Sequence, residues 1–302
     1  MTSVSFIIPV FNKSSYLKTV IKSLKSQNGN FDREYIFIDD GSTDNSLKII
    51  KKETKNLKKC RIFSQANKGS ANATNRGIKA AKMKYIKFLD ADDVILSDST
   101  EILIDILEKN PDYNLAYGLQ RKVESIQEVD LDEKINEEDL TFIKRPTKLA
   151  MRNSMFNPSQ FLVRTDLCKK TKGCDERVKF SQEYSLTLKL SIVGGFIRLN
   201  YAIAILPFKV PGQISEKKNN QIHRVSKALE LFLKENSNLP IGLKLYAQRR
   251  LTARAWRFAK RFLHSNFFSR WFLLYSIGLF RLPFNILKNC EEANKVYESK
   301  LD

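Results

Sequence analysis

The feature that most constrains this chain is a regular alternation, from residue 4 to about 93, of short apolar runs with amphipathic segments. Val4-Ser5-Phe6-Ile7-Ile8-Pro9-Val10, Tyr35-Ile36-Phe37-Ile38-Asp39, Arg61-Ile62-Phe63-Ser64 and Tyr85-Ile86-Lys87-Phe88-Leu89 read as strands. Short, nearly continuous apolar runs are what strands buried on both faces look like. Between them the spacing predicts three helices. The first is capped by Ser14 or Ser15 and carries Leu17, Val20, Ile21 and Leu24 on one face; the others run from Asp44 to Thr54 and from Ser70 to Lys82. Strand, helix, strand in this order implies a mostly parallel sheet with right-handed crossovers.

In such sheets the ligand site forms beyond the carboxyl ends of the strands. Three of the predicted strands end in polar sequences: Pro9-Val10-Phe11-Asn12, Asp39-Asp40-Gly41-Ser42-Thr43-Asp44 and Asp90-Ala91-Asp92-Asp93. They are therefore expected to meet in space.

Beyond residue 93 the pattern loosens. A helix at Ser97 to Lys109 and a strand around Leu115 to Val123 precede an acidic stretch, Glu124 to Asp139, expected to be an exposed, mobile connection. A strand at Gln160 to Arg164, a helix at Gln182 to Val193, two strands near Phe196 to Leu199 and Ile203 to Val210, and a helix from about Ile214 to Glu235 complete the reading. The expected division is a catalytic domain over 1–212, with a donor half over 1–95 and an acceptor half over 96–212, followed by a helical extension over 213–302.

Charge and cysteine content narrow the classes. The 52 Lys and Arg against 33 Asp and Glu give a net +19, which favours anionic surroundings. Four cysteines (Cys60, Cys168, Cys174, Cys290) lack the paired short spacings of a zinc site and are expected to be thiols. Met1 to Phe6 enters an apolar strand at once, without the basic start and long apolar core of a signal peptide, so a cytoplasmic location is expected.

No acidic residue lies between Glu235 and Glu291, whereas ten basic ones do, and Arg250, Arg254, Arg257 and Arg261 share one helical face. The apolar run from Trp271 to Leu287 is too short to span a bilayer and is interrupted by Arg281 and Pro283. Residues 241–288 are thus expected to bind an anionic membrane surface peripherally, on its inner face; a basic helical bundle packed on protein is the alternative.

Asp90 and Asp92 are one residue apart, so in an extended segment both carboxylates point to one side. Hard oxygen ligands at that spacing suit Mg²⁺ or Mn²⁺. Alone, such a triplet is more often an acidic turn that caps a helix. Here it stands with Ser5 to Asn12, Ile38 to Asp44, Asn67-Lys68-Gly69 through Asn75-Arg76-Gly77, and Phe88 to Asp93, and in that order and spacing the set resembles the family 2 glycosyltransferases. The resemblance is sharp over residues 4–93, looser to about 212 and absent beyond.

It implies a GT-A fold, a Rossmann-like α/β architecture of nucleotide-diphospho-sugar transferases with a mostly parallel sheet, here followed by the C-terminal helical extension. By resemblance, Pro9 and Val10 line the nucleotide, Asp39 or Asp40 reads the base, Asn67 sits near base or ribose, Asp90 reaches ribose or sugar, and Asp92 takes the metal with Asp90 and Asp93 beside it. Family members usually place Glu-Asp ahead of an amphipathic Leu-x-Leu helix, with the Asp as base. Aligned on Leu186-Thr187-Leu188, that pair falls on Gln182 and Glu183, which makes Glu183 the expected base. Members also commonly carry Arg before the Asn matched by Asn75; this chain has Thr74, with Arg76 nearby. Gln221 and Arg224 match part of a signature of processive synthases, but Val225 replaces its Trp, so they read as a solvated helix face.

The implied activity is metal-dependent, inverting transfer of a hexosyl group from a nucleotide-sugar, expected to be a UDP-sugar, to a cell-envelope glycan or lipid-linked acceptor of lipopolysaccharide or polysaccharide synthesis. A nucleotide-sugar-binding relative with weak catalysis is one alternative. A nucleic-acid-binding protein is another, but it gives three acidic strand ends no role, and no nucleic acid partner is expected. A nucleotidyltransferase would need a Gly-rich loop where Pro9 to Asn12 stands. The oligomeric state is left open.

Overall fold

The computed structural model describes residues 2–178, 182–208 and 218–300. In chain order the elements are β1 (Ser3–Val10), α1 (Leu17–Lys25), β2 (Asp32–Asp39), α2 (Ser46–Glu53), β3 (Cys60–Ser64), α3 (Ser70–Ala80), β4 (Tyr85–Phe88), β5 (Val94–Ile95), α4 (Ser99–Lys109), β6 (Tyr113–Val123) and β7 (Leu140–Ile143). There follow α5 (Thr147–Arg152), β8 (Phe161–Arg164), α6 (Thr165–Lys170), α7 (Gln182–Leu190), β9 (Gly195–Pro207), α8 (Lys218–Glu235), α9 (Ile241–Phe262), α10 (Arg270–Leu279) and α11 (Ile286–Asn294). By contact the chain divides into two units, residues 1–146 with 155–213, and residues 147–154 with 214–302.

In the first unit one nine-stranded sheet runs, among the described residues, in the order β3-β2-β1-β4-β8-β6-β9-β5, with β7 paired to β9. The strands β1 to β4 are mutually parallel, and β8 enters antiparallel to β4 and to β6. Alternate residues of β1 feed two cores: Val4, Phe6, Ile8 and Val10 join α1 and α4 on one face, while Ile7 joins Ile36, Ile38 and Ile78 on the other. Each such fully buried side chain stabilises the fold by roughly 1.5–3 kcal/mol. The helix α3 lies so close to the sheet that a Cβ at Gly77 would collide with the Ile7 side chain.

Several expectations change. The two strands expected at 196–199 and 203–210 form one, β9, because β6 runs parallel along it with register shifts that absorb its irregularities. Residues 209 and 210, and the expected helix start at 214–217, lie outside the described residues. The acidic stretch is exposed but tied down: Glu133 takes Arg121 (2.7 Å) and the Tyr201 hydroxyl (2.9 Å), Ile126 is buried, and Asn200 donates to Asp139. It ends in β7, which adds to β9.

The second unit is helical. Ala255, Trp256 and Ala259 of α9, Trp271 and Leu274 of α10, and Ala293, Val296 and Tyr297 close its core. Glu230 of α8, buried there, takes Lys227 (2.9 Å), Lys234 (3.1 Å) and the Asn294 amide (2.6 Å). The four cysteines are free thiols.

Candidate active site

Because β1 sends the chain to β2 on one side and lies against β4 on the other, the strand order reverses at β1 and β4, and the carboxyl ends at such a switch are the position where open α/β sheets bind ligands. Val10 is paired with Asp39 and its carbonyl accepts the Asp40 N–H (2.8 Å), so the ends of β1 and β2 are joined. On the other side the ladder stops with Ile7 opposite Phe88 and Leu89 N–H on the Ile7 carbonyl (3.0 Å). Pro9 comes next on that side and has no N–H to leave unpaired.

Asn12 turns the chain out of β1 with a positive φ of 52°, and its side-chain oxygen accepts from Thr43 N–H (2.8 Å). Asp44 clamps the same corner, accepting from Ser14 N–H (3.0 Å) and Ser46 N–H (2.8 Å). Burial works against its charge, but these donors hold the Asp44 carboxyl down at about 2.

Asp39 and Asp40 are both buried yet differently engaged. Asp40 accepts from Lys68 N–H (2.9 Å) and the Gln65 amide (2.8 Å) on one oxygen and from Gly69 N–H (2.8 Å) on the other, so it fixes the loop between β3 and α3. For Asp39 the structure records one long contact, Ser42 N–H to Oδ1 at 3.3 Å. Gly41 sits with φ +76° where a Cβ would lie 2.8 Å from the Asn67 nitrogen, which presses the two loops together. Asn67 itself is exposed.

The acidic cluster follows β4 and is stapled from below. Ser159, fully buried, donates to Asp93 (2.6 Å) and accepts the Asp90 N–H (3.0 Å), while its carbonyl takes the ammonium of Lys87. Lys13 pairs with Asp92 at 2.6 Å. Burial pulls Lys87 down to about 7 against the opposing pull of Asp93 and Asp90. Asp90 is raised by burial and then by the charges of Asp92 and Glu183, and Asp93 by burial and then by Asp90 and Asp92. Glu183, in the first turn of α7, thus belongs to the same electrostatic neighbourhood, and burial raises its carboxyl as well. The side chain of Gln182 lies outside the described residues.

Would a divalent cation fit? Around Asp90 stand four carboxylates (Asp90, Asp92, Asp93, Glu183) and two ammonium groups (Lys13, Lys87), an excess of two negative charges when all are ionised. One divalent ion neutralises that excess, and carboxylate oxygen is the donor Mg²⁺ and Mn²⁺ prefer. Among the described residues no group of three or more His, Cys, Asp or Glu encloses a metal position. A cation at Asp90 and Asp92 would have to complete its shell from phosphate and water.

Reading the sequence by motif misses Lys13, Lys87 and Ser159. Only Lys87 leaves a trace, a charged residue inside an otherwise apolar strand. Arg76, two residues after the position where family members commonly carry Arg, donates to Ser64 O (3.1 Å) and Gln65 Oε1 (3.0 Å) and covers the Phe63 ring. Thr74 is buried. Asn75 grips the 173–176 turn, donating to Cys174 O (3.0 Å) and Glu176 (2.7 Å) and accepting Cys174 N–H (2.7 Å). Arg224, expected on a solvated face, is half-buried on α8, and the Gln221 side chain lies outside the described residues.

This geometry can be set beside known proteins. The sequence profile of glycosyl transferase family 2 matches residues 5–171, more than half of the chain. The chain belongs to that family. Its relatives include the chondroitin synthase of Escherichia coli, 30% identical over 197 residues, which are 65% of this chain and 28% of that protein. The poly-beta-1,6-N-acetyl-D-glucosamine synthase of Staphylococcus epidermidis is 36% identical over 118 residues, 39% of this chain and 28% of that protein. This family 2 chain thus spans less than a third of the length of these synthases. Among solved structures, S. aureus TarS 1-349 in complex with UDP-GlcNAc superposes with a TM-score of 0.66 at 17% identity, over 99% of this chain and 91% of that one. That likeness carries the fold: a family 2 glycosyltransferase domain of GT-A architecture with a helical C-terminal region.

Proposed function

We propose that this family 2 chain transfers a sugar from a nucleoside diphosphate sugar, a UDP-sugar by preference, to a hydroxyl of a cell-surface glycan or lipid-linked acceptor, with inversion. The observation that carries the reading is the topological switch between β1 and β4, with Asp39 at the end of β2 and Asp90, Asp92, Asp93 and Glu183 grouped after β4. The UDP-GlcNAc held by TarS and the polysaccharides named in its relatives support the choice of donor and acceptor class.

Asp39, with an oxygen to spare, faces the base N–H groups, and backbone around Pro9 and Val10 flanks the nucleotide. Asp92, with Asp90, would hold Mn²⁺ or Mg²⁺, which when bound would supply positive charge against the departing diphosphate. Glu183 takes the proton of the acceptor hydroxyl as its oxygen bonds to the anomeric carbon and the bond from that carbon to the diphosphate oxygen breaks. Burial makes Glu183 a stronger base than an ordinary carboxylate, so activity falls off at a higher pH on the acid side than for an exposed glutamate. The C-terminal unit, basic over residues 241–288, holds the enzyme to an anionic membrane on its cytoplasmic face; among the described residues no helix is long and apolar enough to cross.

The test is a screen of nucleotide-sugars by calorimetry and by release of nucleoside diphosphate, with and without Mn²⁺. Asp92→Asn is expected to lose metal-dependent donor binding. Glu183→Gln is expected to bind donor normally and to lower turnover at least about 100-fold, the scale of general-base catalysis. Near-normal turnover in Glu183→Gln removes it as base. Donor binding without transfer in the wild type favours the weakly catalytic relative, a reading motivated by Glu standing where the family usually has Asp.

A further inference from the structure

The C-terminal unit sorts its large apolar side chains into two sets. Trp256, Trp271, Phe272 and Tyr297 turn inward and pack together. Phe268 (98% exposed), Leu273 (63%), Phe280 (71%) and Phe284 (68%) do the opposite. All four lie between residues 268 and 284, on α10 or beside it in sequence. Leu273 and Phe280 are seven residues apart along α10 and its C-cap, hence on one face, opposite the face that buries Trp271, Leu274 and Gly278. Phe268 stands just before the helix and Phe284 just after it.

The charges near this face are mainly basic, with Glu292 within electrostatic reach of Arg270 and Lys288. Arg261, Arg270, Arg281 and Lys288 are exposed at its two ends, and no Asp or Glu occurs between residues 236 and 290. Arg270 is folded over the Trp271 ring, 4.2 Å from its centre, which leaves the outward apolar stripe uncovered. Two arginines of the basic face of α9 are engaged within this unit: Arg250 donates to Arg152 O (2.5 Å) and Arg254 reaches Ser226 (3.5 Å).

Chemistry chooses the occupant. A second copy related by a two-fold axis would bring Arg270 and Arg281 against their own equivalents, an excess of basic charge that Glu292 beside Arg270 offsets only in part. Anionic lipid answers both halves of the pattern: acyl chains take the four apolar side chains, and phosphates take the long basic ones at the rim. We propose that α10 and its two flanking turns form an in-plane membrane anchor, with Phe268, Leu273, Phe280 and Phe284 inserted and Arg261, Arg270, Arg281 and Lys288 at the headgroups. At ten residues, α10 is about 15 Å long and lies in the interface rather than crossing it. This anchor rests on the membrane reading of residues 241–288 and narrows it to one face.

The experiment is flotation of the full chain with vesicles of phosphatidylglycerol and phosphatidylethanolamine, and with phosphatidylcholine alone. Phe268→Glu/Phe280→Glu is compared with a control of equal charge change, Ile222→Glu/Ile241→Glu, at exposed apolar positions away from α10. The expected result is binding of wild type to anionic vesicles, an at least tenfold loss in Phe268→Glu/Phe280→Glu with an unchanged melting temperature, and a smaller loss in the control. Equal losses in the two variants overturn the α10 face while leaving the broader membrane reading in place. No wild-type binding to anionic vesicles removes both. A wild-type dimer that Phe268→Glu/Phe280→Glu dissociates, without flotation, assigns the face to a second copy and overturns the proposal.

Discussion

Asp39 and Asp40 are adjacent and identical in type, yet the hydrogen bonds around them differ enough to separate their duties. Asp40 takes three donors from the loop after β3, so Asp40→Ala unties that loop; the expected cost is about 2 kcal/mol, read as a lower melting temperature. Asp39→Asn, in contrast, is expected to leave melting unchanged and to weaken UDP binding about tenfold by calorimetry, one charge-assisted hydrogen bond's worth. Lys13 raises a different question, because its ammonium already occupies an oxygen of Asp92. A cation that binds that oxygen competes with it. Lys13→Met is therefore expected to tighten Mn²⁺ binding to the donor-free protein, seen by titration with paramagnetic detection; unchanged affinity would mean that the pair does not compete with metal.

At the level of elements, β1 to β4 and α1 to α3 were legible because parallel strands buried on both faces leave apolar runs that local pattern reveals. The two residues of β5 and four of β7 are too short for any period, and β7 forms only because β9 offers an edge. The stapling of the acidic cluster was illegible for a related reason. Lys13 lies 79 residues from Asp92, and Ser159 lies 66 from Asp93, so nothing local marks either pair. Aspartates at strand ends carry their own context, whereas their partners do not. Gly77 shows tertiary packing overruling propensity. In a free helix Gly→Ala gains about 1 kcal/mol, but here the added methyl meets Ile7 in a filled core, where overpacking costs about 1–3 kcal/mol. Gly77→Ala is expected to lower the melting temperature, and a rise would show that α3 can move away from the sheet.

Across the whole molecule, the ten basic and no acidic residues between 236 and 290 contribute +10 of the net +19, so charge is concentrated in the helical unit. Raising salt from 0.1 to 1 M shortens the screening length from about 10 to 3 Å. Wild-type binding to anionic vesicles is expected to fall over that range to a residue that salt does not remove, and Phe268→Glu/Phe280→Glu to lose that residue. In the sheet unit, the contact between Gly41 and the backbone at Asn67, with Asp40 tied to Lys68 and Gly69, has a consequence for donor choice. The loops after β2 and β3 form a single piece, so if Asp39 reads the nucleobase as proposed, a substitution that adapts one loop to a different base is expected to shift the other as well.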